Sequence, residues 1–432
     1  MESGSGLPHQ LVKDIPIGQL CGASEKTGIP MPANLSRRGA AEPFHAMDVL
    51  AAANRLKADG HPVISLAVGQ PGDPAPARVR EAAKAALDNG AIGYTDSMGI
   101  AELRAAISAH YRDRYDIEVP VHRIAVTTGS SAGFNLAFLG MFDVGDRIAT
   151  VLPGYPAYRN IMAALGIEAV EVPHEGSGQL TARQLEAAHR EKPLKGVLFA
   201  SPANPTGAII QQEELAALVS TAAGLGISVI SDEIYHGLSY VGPDHTALAL
   251  DPDVTVIDSF SKYYCMTGWR VGWMVLPEKL VRQVECLQQS LYISAPALSQ
   301  IAAVEALKAT DELEAVKARY RANRELLIEG LPKLGFELAA PLDGAFYAYC
   351  DVSRHTNDSM DFAKRMLAEC HVAITPGRDF DPGEGIARYG SPTPAPMPTS
   401  PRRWSGSATG CAERQVRSFQ TKKPGQAPVF VA

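Results

Sequence analysis

Residues 259–273 read SFSKYYCMTGWRVGW. Lys262 stands three residues after Ser259 and eight before Arg270, between runs rich in aromatic and apolar side chains. A lysine is rarely buried without a partner or a task, because desolvation penalises its charge. An amine desolvated beside a second cation loses proton affinity, and its freed lone pair can attack a carbonyl. The serine hydroxyl and the planar arginine fork in the same stretch suit a phosphate. The stretch continues from VTVIDSF, a short apolar run of the kind that forms a strand buried on both faces.

Outward from this stretch, short apolar runs alternate with helical spacing from about residue 75 to residue 275. RIAVTTG, DRIATVLPG, IEAVEVP, GVLFASPAN, ISVISDEIY and RVGWMVL read as further strands, with AELRAAISAHYRDRY and EELAALVSTAAGLG as helices between them. The alternation predicts an α/β domain with a mostly parallel sheet. After Leu276 the pattern changes to long helices, including a run over 301–331, and then to AFYAYCDVS, the helix DFAKRMLAECH and VAITPG. These predict a smaller α+β domain, which also takes in VISLAVGQPGDP from before residue 75. The expected division is a flexible extension over 1–30 and an N-terminal segment over 31–70 that packs with the smaller domain. A large domain over 71–300, a small and incomplete C-terminal domain over 301–388, and a disordered tail over 389–432 follow. GSPTPAPMPTSPRRWSGSATG, within that tail, is dense in Pro, Ser and Gly and has no apolar period.

Composition narrows the function. The 432 residues are 46% hydrophobic and 20% charged, with a formal net charge of −7, which predicts an ordinary soluble globular protein. No basic stripe is present to hold nucleic acid. The longest small-apolar run, LAALVSTAAGLGISVI, is too short and too interrupted to span a membrane. The six cysteines are scattered without a CxxC pair, which predicts neither a disulfide framework nor a metal site and points to a reduced, cytoplasmic compartment.

Ligands of open parallel sheets bind at the carboxyl ends of the strands, and four predicted strand ends carry distinctive residues. TTGSSAG places Ser130 and Ser131 at a strand-to-helix junction whose free N–H groups and dipole favour an anion. SPANPTG places Asn204 after a buried strand, and ISVISDEIY puts Asp232 at the end of a very apolar one, with Tyr235 close behind. A carboxylate in that position is costly unless a buried cation answers it. Each residue alone has an ordinary structural role available. Together they specify a ligand with a phosphate (Ser130, Ser131, Ser259, Arg270), a ring nitrogen kept protonated (Asp232), a ring oxygen (Asn204, Tyr235) and an aldehyde for Lys262. That ligand is pyridoxal 5′-phosphate.

Seven blocks in fixed order carry a family resemblance: Gly69-Gln70-Pro71, YTDSMGIAELR from Tyr94 to Arg104, TTGSS, Pro153-Gly154-Tyr155, Asn204 to Gly207, Asp232 to Tyr235, and Ser259 to Arg270. Over roughly residues 35–388 the chain resembles the class I/II, fold-type I pyridoxal-phosphate aminotransferases, of the aspartate-aminotransferase kind. The resemblance implies a mostly parallel seven-stranded sheet sandwiched by helices, a smaller α+β domain, and a homodimer. It implies that Lys262 carries the cofactor as a Schiff base and moves a proton between substrate and cofactor, while Asp232 pairs with the ring nitrogen. It further implies that Tyr155 stacks on the ring, that Asn204 and Tyr235 bond its phenolic oxygen, and that Ser130, Ser131, Ser259 and Arg270 take the phosphate. Tyr94 would reach the other subunit's phosphate, and Gly69 would let the substrate carboxylate approach the backbone. The implied reaction moves an α-amino group between an L-amino acid and a 2-oxo acid. A β-eliminating lyase of the same fold would use Lys262 and Asp232 equally.

One family feature is out of place. An arginine that grips the substrate carboxylate is expected in a motif like R-[LF]-S-[YF]-A, about ten residues past Thr375-Pro376-Gly377. Here the chain reads GEGIARYGSPTPAPMPTSPRR, and Arg388 is the only arginine near that place. Codon degeneracy allows a one-base shift near residues 383–390 to restore Arg-Leu-Ser-Tyr-Ala. The sequence therefore also admits a frameshifted C-terminus and a cofactor-binding but catalytically impaired product.

Overall fold

The computed structural model describes residues 36–90, 92–383 and 429–431. Of the described residues, 36–40 belong to one unit, with a 3₁₀ turn at Arg37–Gly39, and those from Ala41 onward to another. The strands described are β1 (Ile64–Ser65), β2 (Ile124–Thr127), β3 (Arg147–Leu152), β4 (Glu168–Pro173), β5 (Gly196–Ala200) and β6 (Ser228–Asp232). They continue with β7 (Thr255–Ser259), β8 (Gly272–Val275), β9 (Glu337–Leu338), β10 (Tyr347–Asp351), β11 (Val372–Ala373) and β12 (Val429–Val431). The helices are α1 (His45–Ala58), α2 (Ala77–Asp88), α3 (Ala101–Tyr115), α4 (Gly129–Met141), α5 (Pro156–Leu165) and α6 (Ala182–Glu191). After them come α7 (Gln212–Leu225), α8 (Val281–Leu291), α9 (Ala297–Ala306), α10 (Thr310–Lys333) and α11 (Ser359–Cys370).

Seven strands form the central sheet in the order β2-β8-β7-β6-β5-β3-β4. All neighbours run parallel except β8, which is antiparallel to both β2 and β7. β2, β5, β7 and β8 are buried at every position, because helices cover both faces and the strands are apolar throughout. β4, at the edge, is exposed at both ends and closes on Pro173, which has no N–H to offer a further strand. Helix ends follow local chemistry. α5 opens on Pro156 and stops at the left-handed Gly166, and α6 opens on a Thr181–Gln184 capping box.

Two smaller sheets complete the unit: β1 with β11, and β9-β10-β12. The helical run expected over 301–331 is broken, because α9 stops at Ala306 and α10 starts only at Thr310. Leu313, Val316 and Tyr320 of α10 join the main apolar core, whereas Leu331 joins a second cluster with Phe336, Val352, Phe362 and Ile374. Val429–Val431, read from composition as part of the disordered tail, instead pair in parallel with β10 as β12. The rest of that tail, and the proposed frameshift point from residue 384 onward, lie outside the described residues, as does the extension over 1–30.

The antiparallel course of β8 has a positional consequence. Its first residue, Gly272, pairs with Thr127 at the end of β2 and with Ser259 at the end of β7. Arg270 therefore enters at the same edge where the parallel strands finish. A side chain on Gly272 would meet Asp258 O at 2.7 Å, with Gly129 C and Ser130 N at 3.2 Å. Gly272→Ala is expected to lower stability by about 1–3 kcal/mol, measured by urea unfolding. An unchanged midpoint would show that β8 can move away without cost.

Candidate active site

The carboxyl edge of the sheet gathers most of the residues singled out by the sequence. β7 ends at Ser259, and three residues on, Lys262 points its Nζ at the carbonyl of Gly69, to which it donates. The amine lies 5.6 Å from the centre of the Tyr235 ring and 5.8 Å from that of Phe346. Burial lowers its pKa to about 8, Asp232 opposing the shift and Arg270 adding to it.

Asp232 closes β6 and is buried. Its carboxylate accepts from the Tyr158 hydroxyl and, at 3.1 Å, from the Ile234 N–H. Burial raises its pKa to about 6, although Tyr158, Ile234 and Lys262 all act to lower it. Lys262 and Asp232 attract one another, yet no ion pair among the described residues joins them. The turn after Asp232 is tied from behind by Asp244, which accepts from Gly237 N at 2.8 Å and from Arg114 at 2.5 Å. Burial opposes the charge on Asp244, but His236 and Arg114 more than offset it and bring its pKa to about 2.

At the start of α4, the Thr128 side chain makes no capping hydrogen bond, which leaves the first N–H groups without that acceptor. The guanidinium of Arg270 lies over this turn. A Cβ on Gly129 would stand 2.5 Å from Arg270 Nη2, and both residues adopt left-handed backbone. Arg270 itself is exposed and donates to Thr267 O at 3.2 Å. Ser130 is half-buried in the first turn and Ser131 is exposed. The Ser259 hydroxyl is buried and engaged with Ser261 Oγ at 2.9 Å and Val271 O at 3.0 Å.

The remaining sequence-selected residues divide. Tyr155 is half-buried, edge-on to Tyr158 at 5.3 Å between ring centres and to Phe44 at 6.3 Å. Asn204 follows β5, and its Oδ1 is buried without a hydrogen-bond partner among the described residues. Tyr235 is buried, its hydroxyl bonded to that of Tyr347. Tyr94 is 85% exposed and takes no part in these contacts. Arg388 lies outside the described residues. Three neighbours escaped the sequence reading: Tyr158, Tyr347 and Ser261. Tyr158, in the first turn of α5, sits three residues after Tyr155 at the cap of that helix, and that spacing could have found it. Tyr347 comes from a distant strand, and no local pattern points to it.

The residues present fit pyridoxal phosphate. A buried carboxylate held above its usual range lacks a cation, an amide has an unmatched buried end, and an arginine lies over an uncapped helix start. The comparisons with known proteins agree. The profile of aminotransferase class I and II matches residues 61–388. A valine–pyruvate aminotransferase of Mycobacterium tuberculosis is 49% identical over 362 residues, which is 82% of this chain and 92% of the relative. Among solved structures, an aminotransferase from Mycobacterium tuberculosis superposes with a TM-score of 0.79 at 47% identity, over 82% of this chain and 93% of the other. Aspartate aminotransferase from Thermus thermophilus with maleate gives 0.76 at 32%, over 80% and 92%. The chain belongs to the class I and II aminotransferases. It has their α/β fold, uses pyridoxal phosphate, and moves an amino group between an amino acid and a 2-oxo acid.

Two measurements follow from this electrostatic arrangement. Only the neutral amine of Lys262 can form a bond to an aldehyde, and its neutral fraction rises with pH through about 8. Cofactor attachment to the apoenzyme, followed by stopped-flow absorbance, is expected to speed up about tenfold from pH 7 to pH 9 and then level off. A rate still climbing toward pH 10.5 would contradict the lowered pKa. Tyr158→Phe removes a donor from buried Asp232 and is expected to weaken cofactor binding roughly 10–100-fold in equilibrium dialysis, an unchanged affinity denying Tyr158 that part.

Proposed function

We propose that the chain transfers the amino group of a small aliphatic L-amino acid, valine first among them, to pyruvate, with Lys262 as cofactor anchor and proton carrier. The observation that carries the assignment of Lys262 is its half-buried amine, its pKa lowered by desolvation, set among aromatic walls with Asp232 acting on it. The substrate class draws support from the relative's name at 49% identity and from the apolar character of the walls, Tyr235, Phe346 and Tyr347. Asp232 and Arg270 are the charged groups that act on the amine, and with Arg270 given to the phosphate a second carboxylate on the substrate would have only the anionic Asp232 there.

Pyridoxal phosphate, when bound, supplies an electron sink for the charge that develops at the substrate's Cα. Asp232 holds a positive charge at the ring nitrogen, and Asn204 and Tyr235 orient the ring through its oxygen. Arg270, the first turn of α4 with Ser130 and Ser131, and Ser259 seat the phosphate; Ser259 does so by fixing the loop through Ser261. Tyr155 covers one ring face. Gly69 is assigned to the substrate carboxylate, although the Tyr347 ring fills the space its missing side chain leaves, and Arg388 is assigned the charged grip on that group. The Lys262 amine, about half of it uncharged at pH 8, removes and returns the Cα proton.

The same reading places catalysis in a cytoplasmic homodimer. Tyr94, Ile92, Leu291 and Ile293 are exposed, and Thr95 N–H to Ser294 Oγ at 3.4 Å links their two segments into one apolar patch that a partner subunit would cover. Among the described residues no helix is long and apolar enough to cross a membrane. Residues 71–300 serve as the cofactor-binding domain, and 31–70 with 301–388 as the smaller one. The separate apolar cluster of Ile64, Leu66, Phe336, Phe362 and Ile374 favours this division.

The test is a half-reaction. Purified holoenzyme is mixed with a panel of L-amino acids while the bound cofactor's absorbance is followed. Valine is expected to bleach it and pyruvate to restore it, with alanine formed in equal amount to the 2-oxo acid of valine. Bleaching by no amino acid would end the proposal, and bleaching by aspartate in preference to valine would overturn the substrate class. Borohydride is expected to fix the cofactor on Lys262 and not on Lys262→Ala.

A further inference from the structure

Tyr347 belongs to none of the seven ordered motifs, yet it reaches the centre of the site. It opens β10, a strand outside the central sheet, and its hydroxyl bonds that of Tyr235. The two rings meet edge to face, 5.5 Å apart at 76°. Tyr235 is 3% exposed and Tyr347 5%. The Tyr347 ring also occupies the place where a Cβ on Gly69 would stand, on the backbone whose carbonyl accepts from Lys262. Contact with Gly69, Tyr235 and Phe346 thus fixes the phenol on several sides.

A phenol has one proton to give. If Tyr235 donated to Tyr347, it would have none left for a ligand. If Tyr347 donates, Tyr235 is held in place and its own proton stays available. We propose that Tyr347 is a positioning residue whose hydroxyl donates to the Tyr235 oxygen, aiming the Tyr235 proton at the phenolic oxygen of bound pyridoxal phosphate. This rests on the assignment of Tyr235 to that oxygen made under the proposed function. The titratable and charged groups facing the pair are Asp232 from β6, Lys262 from the turn after β7, and Tyr155 and Tyr158 from the start of α5. None of them replaces Tyr347 at the Tyr235 hydroxyl among the described residues.

A hydrogen bond donated to the cofactor's ring oxygen stabilises negative charge there, so it lowers the pH at which the bound cofactor's visible absorbance titrates. Weakening the donor raises that midpoint. Tyr347→Phe keeps the ring and removes only the hydroxyl; in the holoenzyme it is expected to raise the midpoint by about 0.5–1 unit. Tyr235→Phe is expected to raise it further. Because Tyr347 acts through Tyr235, the double variant is expected to match Tyr235→Phe alone. An unmoved midpoint in Tyr347→Phe, or a double variant shifted by the sum of both, overturns the proposal. Borohydride trapping of the wild-type cofactor separates the two readings. Label on Lys262 with additive shifts removes Tyr347 alone, whereas label on another lysine removes the site assignment and this inference with it. Circular dichroism melts of each variant, expected within a few degrees of wild type, show that the shifts come from folded protein.

Discussion

Asp232 brings a carboxylate into the interior with too little to hold it. A hydroxyl from Tyr158, one N–H and a neighbouring amine all favour its charge, and burial still raises its pKa to about 6. Lys262 has the opposite difficulty, an amine among aromatic rings with its pKa brought down to about 8. Two desolvated groups of opposite sign that feel each other without forming an ion pair are poor structure for its own sake, since a closed pair or an apolar substitution would cost less. They become sound structure once a ligand bearing both a cationic nitrogen and an aldehyde belongs between them. The sheet topology serves this arrangement. β6 and β7 are parallel neighbours, so their ends deliver Asp232 and Lys262 to one edge. The antiparallel β8 adds Arg270 at that same edge by starting where the others finish.

Legibility in the sequence followed the range of the interactions. The strands of the central sheet were readable because burial on both faces demands runs of apolar residues, as in GVLFA and in IAVT. Lys262, Asp232, Asn204 and Arg270 were readable because each stands within a few residues of a strand end and is chemically out of keeping with it. Tyr347 was not, although it directly partners a motif residue, and Tyr158 was marked only by its spacing from Tyr155. A buried tyrosine is unremarkable by composition, and its value here lies in where a hydroxyl arrives, which only the tertiary fold decides. Ser259 shows the converse. The sequence offers its hydroxyl to a phosphate, whereas in the fold that hydroxyl is engaged by Ser261 and Val271.

Position along β10 explains both why Tyr347 was hidden and why it is placed to matter. AFYAYC is apolar on both faces, which by pattern alone marks a buried strand and nothing more. In the fold the alternation separates two interiors. Tyr347 and Tyr349 face the main core, whereas Ala348 and Cys350 face the smaller cluster with Phe336 and Phe362. α10 straddles the same divide, with Leu313 and Val316 on one side and Leu331 on the other. Any shift of the smaller cluster against the sheet must therefore carry β10, and with it the hydroxyl that meets Tyr235. Gly69, which also meets Tyr347, follows shortly after β1, and Ile64 of that strand and Leu66 just past it pack into the smaller cluster. Two contacts of the Lys262 amine, the Gly69 carbonyl and the Tyr235 ring whose hydroxyl Tyr347 meets, are thus both tied to elements outside the central sheet. The sheet fixes the charged groups, and the orientation of the neutral hydroxyls is set by how the smaller cluster seats upon it.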